Sequence, residues 1–242
     1  MMRLYYDLHI HSCLSPCGDD DNTPNNILGI ASLSGLDIVA LTDHNTTKNC
    51  PAFFEASEEY GIVAVAGMEL TTSEDIHVVC LFEELSDAMA FDSFIDTKRI
   101  KVKNKPEFFG EQLILDRNDN LIGKEDYLLS NATTLSIEDV ADTVRDYGGV
   151  AYPAHIDRDS NGIVAILGTI PSPSKFTFYE LRSAENIEEY SKRFNIDKDS
   201  FIISSDAHNL ESVRDKENYL TLEVEDKNPT AVRRELFKLL RK

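Results

Sequence analysis

Short apolar runs alternate along this chain with longer amphipathic stretches, and polar residues follow most of the apolar runs. Residues 4–6, 36–41, 62–66, 76–82, 150–152, 176–181 and 201–204 read as buried strands. Between them the pattern predicts helices. Thr23 and Pro24 supply an N-cap and first-turn proline for one that Gly35 closes, a second covers 52–60 and stops at Gly61, and a third runs from Ser136 to a Gly148-Gly149 stop. A fourth starts near residue 160 and runs to about 167. The last, over 229–242, sets Val232, Leu236, Leu239 and Leu240 on one face.

About seven strand–helix repeats indicate either a parallel barrel or a doubly wound sheet. The candidate ligands described below are spread over the whole chain, which favours the barrel, where all strand C-termini share one mouth. We therefore expect an α/β fold, a parallel TIM-like (β/α) barrel of about seven repeats. Residues 83–131 break the rhythm with a helix around 87–98, a charged aperiodic stretch, and a hairpin turning at 116–120. This helix-plus-hairpin insertion either covers an active-site mouth or elaborates the surface. With no linker or repeat, residues 1–242 read as a single domain.

The strand ends carry the chemistry. In Asp7-Leu8-His9-Ile10-His11-Ser12, His9 and His11 project from one face of an extended strand, which makes half of a metal site. The other four of six histidines lie in or just after apolar runs: His44, His77, His155 and His208. His77 sits near the start of its run, where a core role also fits. Together with Glu69, Asp7, Asp43 and Asp206 these donors exceed the needs of one tetrahedral ion, so more than one metal is implied, with a carboxylate as bridge. Mixed imidazole and carboxylate ligands suit Zn, Mn or Fe better than Mg or Ca. Paired metals activate water and stabilise both oxygens of an in-line displacement. Hydrolysis of a phosphate ester fits; attack on an amide or lactone carbonyl would use the same machinery.

Composition narrows the setting. Against 24 Lys and Arg stand 43 Asp and Glu, a formal charge of -19, which argues against bulk nucleic acid as a partner but leaves a small phosphorylated substrate open, because bound cations reverse the local sign. Cys13, Cys17, Cys50 and Cys80 form no CxxC pair, which points to reduced thiols in a cytoplasm. No leader-like or membrane-spanning apolar run is present, so no membrane partner is expected. Oligomeric state is not legible.

Taken in order, Asp7-Leu8-His9-Ile10-His11-Ser12, Thr42-Asp43-His44-Asn45, Gly67-Met68-Glu69, His77, Pro153-Ala154-His155 and Ser205-Asp206-Ala207-His208 resemble the motifs of the PHP (polymerase and histidinol phosphatase) superfamily. The resemblance implies a distorted seven-stranded barrel, two or three divalent ions and metal-dependent phosphoesterase activity. It assigns His9, His11, Glu69 and Asp206 to one metal, with Glu69 bridging to a second held by His77 and His155. His44 and His208 take the third. Asp7 and Asp43 would orient imidazoles from behind. Asp206, His208 and His44 are the expected catalytic residues, the two histidines protonating the leaving group if the third metal is absent. The loop Ser15-Pro16-Cys17-Gly18-Asp19 departs from the family pattern: Cys17 stands where some members carry His. It is either a thiolate ligand or a packed loop residue, with Asp19, Asp20 or Asp21 as substitutes. Arg158 is the foremost substrate-binding candidate, with Lys175 and Arg182 behind it. Two other readings stay open, an amidohydrolase-type reaction and a non-catalytic metal-dependent nucleotide-binding module.

Overall fold

In the computed structural model, which describes residues 1–172 and 174–241, a mixed sheet curls into a half-barrel with helices packed on its outside. Strands β1 (Met2–Ile10), β2 (Ile38–Leu41) and β3 (Val63–Thr71) run parallel, and α1 (Pro24–Leu33) and α2 (Cys50–Tyr60) provide their crossovers. The Thr23 hydroxyl accepts the Asn26 N–H and Pro24 opens the helix, as the local sequence requires. Gly61 at φ 66° then stops α2.

Next comes a departure from uniform (β/α) alternation. Strand β4 (His77–Phe82) runs antiparallel to β3, pairing Thr71 with His77 and Glu69 with Val79. The physical reason is length: residues 72–76 suffice for a tight turn, with Asp75 at φ 63°, but not for a parallel crossover of a dozen residues or more. The reversal places the start of β4 beside the C-terminal end of β3. His77 therefore reaches the mouth from a strand's beginning, whereas its partners reach it from strand ends.

Helix α3 (Leu85–Asp96) belongs to the barrel rather than to an insertion, since Phe91 and Ile95 are fully buried in the core. The excursion proper follows it. An extended stretch bridges Arg99 to Thr133 and Lys103 to Tyr127, α4 (Pro106–Phe109) makes one turn, and β5 (Leu113–Leu115) pairs with β6 (Leu121–Lys124) as the expected hairpin. Helix α5 (Ile137–Asp146), capped by Ser136, leads to β7 (Gly149–Pro153), antiparallel to β4. After the short α6 (Ile163–Leu167), β8 (Tyr179–Leu181) and β9 (Phe201–Ile203) form a separate parallel ladder around α7 (Ile187–Phe194). A single bridge, Ile10 to Ala207, returns this ladder to β1.

Strand β10 (Tyr219–Leu222) pairs antiparallel with β1 at the sheet edge; neither it nor α7 was signalled by the apolar pattern. Helix α8 (Pro229–Leu240) lays Val232, Leu236, Phe237 and Leu240 against an apolar cluster with Leu4, Ile38, Val63 and Leu81. Truncating Phe237, which is fully buried there, costs about 3–5 kcal/mol. The expected helix end at Lys242 lies outside the described residues. Among the described residues no helix is long and apolar enough to cross a membrane.

Candidate metal centre

The last residues of β1 turn His9 and His11 into the mouth, both fully buried. Their Nε2 atoms approach to 3.1 Å. Around this pair stand Glu69 from β3 and Asp206 from the loop after β9: His9 Nε2 is 3.5 Å from Glu69 Oε1 and 3.5 Å from Asp206 Oδ1, and His11 Nε2 is 3.3 Å from Glu69 Oε2. Glu69 Oε1 also meets His77 Nδ1 at 2.8 Å and His155 Nε2 at 2.9 Å. Glu69 thus lies at the centre of the cluster and is buried there.

Three groups of donors converge closely enough to hold a cation: His9, His11, Glu69 and Asp206; His44, Glu69 and His77; and His11, His44 and His208, the donor atoms within each group lying within 4.8 Å of one another. The atoms inside them fit a metal better than they fit each other. His44 Nδ1 and Glu69 Oε2 are 3.0 Å apart yet misaligned for a hydrogen bond, and both, with Asp206 Oδ1, are buried without a partner. Buried polar atoms left unpaired are costly, and a divalent ion among them removes that cost. Backbone strain marks the same place, because His155 at φ 28° and Asp206 at φ 55° hold conformations that residues with a side chain rarely adopt.

Protonation in the metal-free protein follows from this crowding. Burial alone pushes His11 down, but hydrogen bonds to Asp206 and Glu69 outweigh it and lift the ring to about 9. Burial likewise opposes charge on His44, and Glu69 overrides it, raising that ring to about 9, with the neighbouring Cys17 thiol adding to the effect. His9 is raised well above 6.5 by Glu180, Glu69 and Asp206 against its burial. Burial would raise Glu69 and Asp206, but the surrounding imidazoles bring both below the usual carboxylate range. His208 goes the other way: burial, with the His11 charge beside it, lowers it to about 3. Its Nδ1 lies 2.8 Å from the Asp206 carbonyl, which can only accept, so Nδ1 carries the proton and Nε2 keeps its lone pair.

A supporting layer fixes the rings. The Ser15 hydroxyl donates to Asp43 Oδ1 at 2.7 Å and accepts from His11 Nδ1 at 2.9 Å, leaving His11 Nε2 free for a metal. Asp43 thus acts on an imidazole through Ser15. Asp7 departs from the role expected of it: its carboxylate accepts the backbone N–H groups of His9 and Ser205 and touches no ring. Burial raises it to about 6. The carboxylate that does hold a ring is Glu180, on β8 and fully buried, whose two oxygens lie 2.9 and 3.1 Å from His9 Nδ1 and which also accepts the His155 N–H at 3.0 Å. Sequence reasoning missed it. The available signal was a lone acid between Tyr179 and Leu181 in an otherwise apolar run.

The mouth opens into a cavity of about 510 Å³ lined by His44, Glu69, His77, Asp206, His208, Cys17, Arg158 and Arg182, with Ser130, Asn161, Asn209 and Ser212. Cys17 is exposed there and falls in none of the three converging groups. The loop that carries it is tightly folded, since a Cβ on Gly18 would strike the Ser12 carbonyl. Arg158 Nη1 is 3.1 Å from Asp206 Oδ2. Lys175 is elsewhere, paired with Asp142 at 2.6 Å beside Gly149, and is no candidate for this mouth.

A curled α/β half-barrel carrying clustered imidazoles and carboxylates at one mouth defines a class of barrels able to bind metal ions. The PHP domain model matches residues 7–147, and the chain belongs to that family. Among curated relatives, an uncharacterized protein of Methanocaldococcus jannaschii, MJ1587, is 37% identical over 76 residues, covering 28% of this chain and 44% of that one. A phosphoribosyl 1,2-cyclic phosphate 1,2-diphosphodiesterase of Eggerthella lenta is 32% identical over 90 residues, 35% of this chain and 33% of that one. The matched segments thus span less than half the length of these relatives. Among solved structures, the lesion-specific endonuclease PfuEndoQ from Pyrococcus furiosus superposes with a TM-score of 0.62 at 18% identity, over 96% of this chain and 55% of its own.

These findings correct the expectation drawn from net charge. Endonuclease Q is also solved with a 27-mer duplex whose abasic lesion lies at the active site, and that chain shares the present fold with a TM-score of 0.60 at 18% identity, over 98% of this chain and 57% of its own. A total of -19 therefore does not exclude nucleic acid from this fold. What decides is the local field at the mouth, not the sum over a surface most of which is distant from it.

Proposed function

We propose that the protein is a metal-dependent phosphoesterase acting on a phosphomonoester or phosphodiester small enough, at its reacting end, to enter the mouth. The observation that carries this reading is the convergence of six imidazoles, Glu69 and Asp206 at one cavity that also receives Arg158. His9, His11, Glu69 and Asp206 would hold one ion; Glu69, His77 and His155, with His44 close by, a second. His44 and His208 would hold a third, with Cys17 at the rim. When bound, Zn, Mn or Fe ions supply Lewis acidity and activate water at neutral pH.

The remaining work falls to the chain. Arg158 offers its guanidinium to phosphoryl oxygens while bonded to Asp206, so substrate binding and ligand orientation are linked. His208 stays neutral near pH 7, and its unprotonated Nε2 is free to bind a cation or to accept a proton, but not to protonate a leaving oxygen as the sequence suggested. Ser130, Asn161, Asn209 and Ser212 line the cavity with hydrogen-bonding groups, and no Phe or Tyr joins them among the described residues, which suits a sugar or sugar-phosphate at the reacting end. Carbonyl chemistry built on a carbamylated lysine has no lysine among the described residues of the cavity lining to use, and Glu69 would take the bridging position instead.

The test is turnover of a nucleotide and sugar-phosphate panel by protein purified without chelator and supplied with Mn or Zn. Turnover that Asp206→Asn abolishes supports the proposal. Metal-loaded protein that turns over none of the panel, with Asp206→Asn changing nothing measurable, contradicts it.

A further inference from the structure

The stretch between α3 and β5 does not share the chain's acidity. Residues 98–110, Lys98-Arg99-Ile100-Lys101-Val102-Lys103-Asn104-Lys105-Pro106-Glu107-Phe108-Phe109-Gly110, hold five cations and one acid in a protein of net charge -19. Lys101, Lys103 and Lys105 are exposed. So are the aromatic rings that follow: Phe108 is 75% exposed and Phe109 45%. Phe108 so placed gains little from burial, and Phe109 leaves nearly half of its surface in solvent.

Their position ties them to the mouth at both ends. The extended stretch lies antiparallel to residues 126–133, with Leu128 N–H donating to the Val102 carbonyl and Asn131 Nδ2 to the Ile100 carbonyl. Ser130, between those two, lines the metal cavity. At the other end, a Cβ on Gly110 would lie 3.1 Å from the Pro16 carbonyl, next to Cys17 at the rim. The basic stretch and the two phenylalanines thus form an arc beside the cavity. Tyr127 adds a third ring, with the ammonium groups of Lys101 and Lys103 at 5.6 and 5.7 Å from its centroid.

We propose that this arc is a platform for single-stranded nucleic acid, which holds the strand while its end enters the metal mouth; the inference rests on the phosphoesterase reading above and names its substrate class. Spaced lysines with exposed aromatics are what a flexible polyanion of stacked bases requires: the cations follow the phosphates and the rings take the base faces. The cavity lining has no Phe or Tyr among the described residues, and its imidazoles face the ligand cluster, so the polar lining would meet sugar and phosphate while bases rest outside on Phe108 and Phe109. The nearby acids Asp96 and Asp126, which pair with Lys101 and Lys103 at 2.8 and 3.1 Å, hold these chains exposed and release them at small cost when a phosphate arrives.

The experiment is fluorescence anisotropy of metal-loaded protein with a labelled, non-hydrolysable phosphorothioate 15-mer of thymidine, run beside hydrolysis of p-nitrophenyl phosphate and bis-p-nitrophenyl phosphate. The triple variant Lys101→Ala, Lys103→Ala, Lys105→Ala is expected to bind at least about tenfold more weakly, with a log Kd against log salt slope shallower by about 2. Phe108→Ala with Phe109→Ala is expected to weaken binding about tenfold and leave the salt slope unchanged. Both variants keep wild-type turnover of the small esters. Wild-type affinity in both variants, or no wild-type binding while small esters turn over, overturns the platform and leaves the phosphoesterase standing. Loss of binding to vesicles rich in anionic lipid, with the oligonucleotide unaffected, overturns it in favour of a membrane surface. If no small ester is hydrolysed by metal-loaded protein, the underlying reading has failed, and strand binding by the arc still reports separately.

Discussion

The mouth of the barrel and the arc beside it are built on opposite terms. At the mouth five of the six rings are held by a second group: His9 by Glu180, His11 by Ser15 and through it Asp43, His77 and His155 by Glu69, and His208 by the Asp206 carbonyl. These groups are buried, several without any protein partner for one of their atoms, and two residues of the cluster, His155 and Asp206, carry strained backbone. The arc, from 98 to 110, places its lysines and phenylalanines in solvent with loose, single ion pairs. The contrast separates two kinds of work. A site that positions reacting atoms needs fixed geometry and stores the cost locally; a surface that follows a flexible polymer needs adaptable contacts and stores almost none.

Substitutions sharpen that contrast from its costliest point outward. Glu69→Gln removes the carboxylate shared by five imidazoles, and turnover is expected to fall by about 10³-fold with loss of bound metal, read by steady-state assay and by metal analysis of the same sample. A folded variant with undiminished metal content would show that Glu69 is not the bridge. Glu180→Gln leaves the His9 ring a neutral partner, and metal affinity is expected to drop about 10–100-fold, measured by competition with a chromophoric chelator. An unchanged affinity would reduce Glu180 to packing.

The third expectation concerns protons. His11 and His44 sit near 9 in the metal-free protein, above their ordinary value of 6.5, so each must lose a proton to bind an ion at neutral pH. Apparent metal affinity should rise with pH up to about 9, by about tenfold per unit for each proton displaced, with proton release visible by calorimetry in buffers of different ionisation enthalpy. The metal-free protein should show the reverse trend in stability. Its raised imidazoles stabilise it fully below pH 6.5, and that contribution is lost as pH rises through 9, which lowers the melting temperature there. The depressed carboxylates Glu69 and Asp206 contribute at neutral pH and lose their contribution in acid. A flat affinity between pH 6 and 9 would contradict the protonated cluster. The smallest effect belongs to the arc: Lys101→Ala, Lys103→Ala and Lys105→Ala each change stability by no more than about 0.5 kcal/mol in thermal unfolding.

Much of this arrangement was readable before any coordinates, and the failures have causes. The strands β1 to β4, β7 and β9, the caps at Thr23 and Ser136, and the hairpin at 116–120 follow from apolar runs and local turn chemistry, which act within a few residues. The reversal of β4 was also there to be read in the five residues between Thr71 and His77, and only the expectation of a uniform barrel hid it. Strand β10 depends on pairing with β1 over two hundred residues away, and its exposed Tyr219 and Thr221 give no apolar signature. At the site, the six histidines were visible because each carries its own chemistry. Glu180 was not, since a buried carboxylate differs from a surface one only in what the fold places against it. Net charge misled for a related reason, since a sum over 242 residues conceals a stretch of thirteen with the opposite sign.

The most direct measurement is a metal titration of chelator-stripped protein, following hydrolysis of bis-p-nitrophenyl phosphate against equivalents of Mn bound per chain. The account predicts turnover that appears with bound metal, saturates at two or three ions and is lower by about 10³-fold in Glu69→Gln at every ratio. Turnover that is independent of added metal, or undiminished in Glu69→Gln, would contradict it.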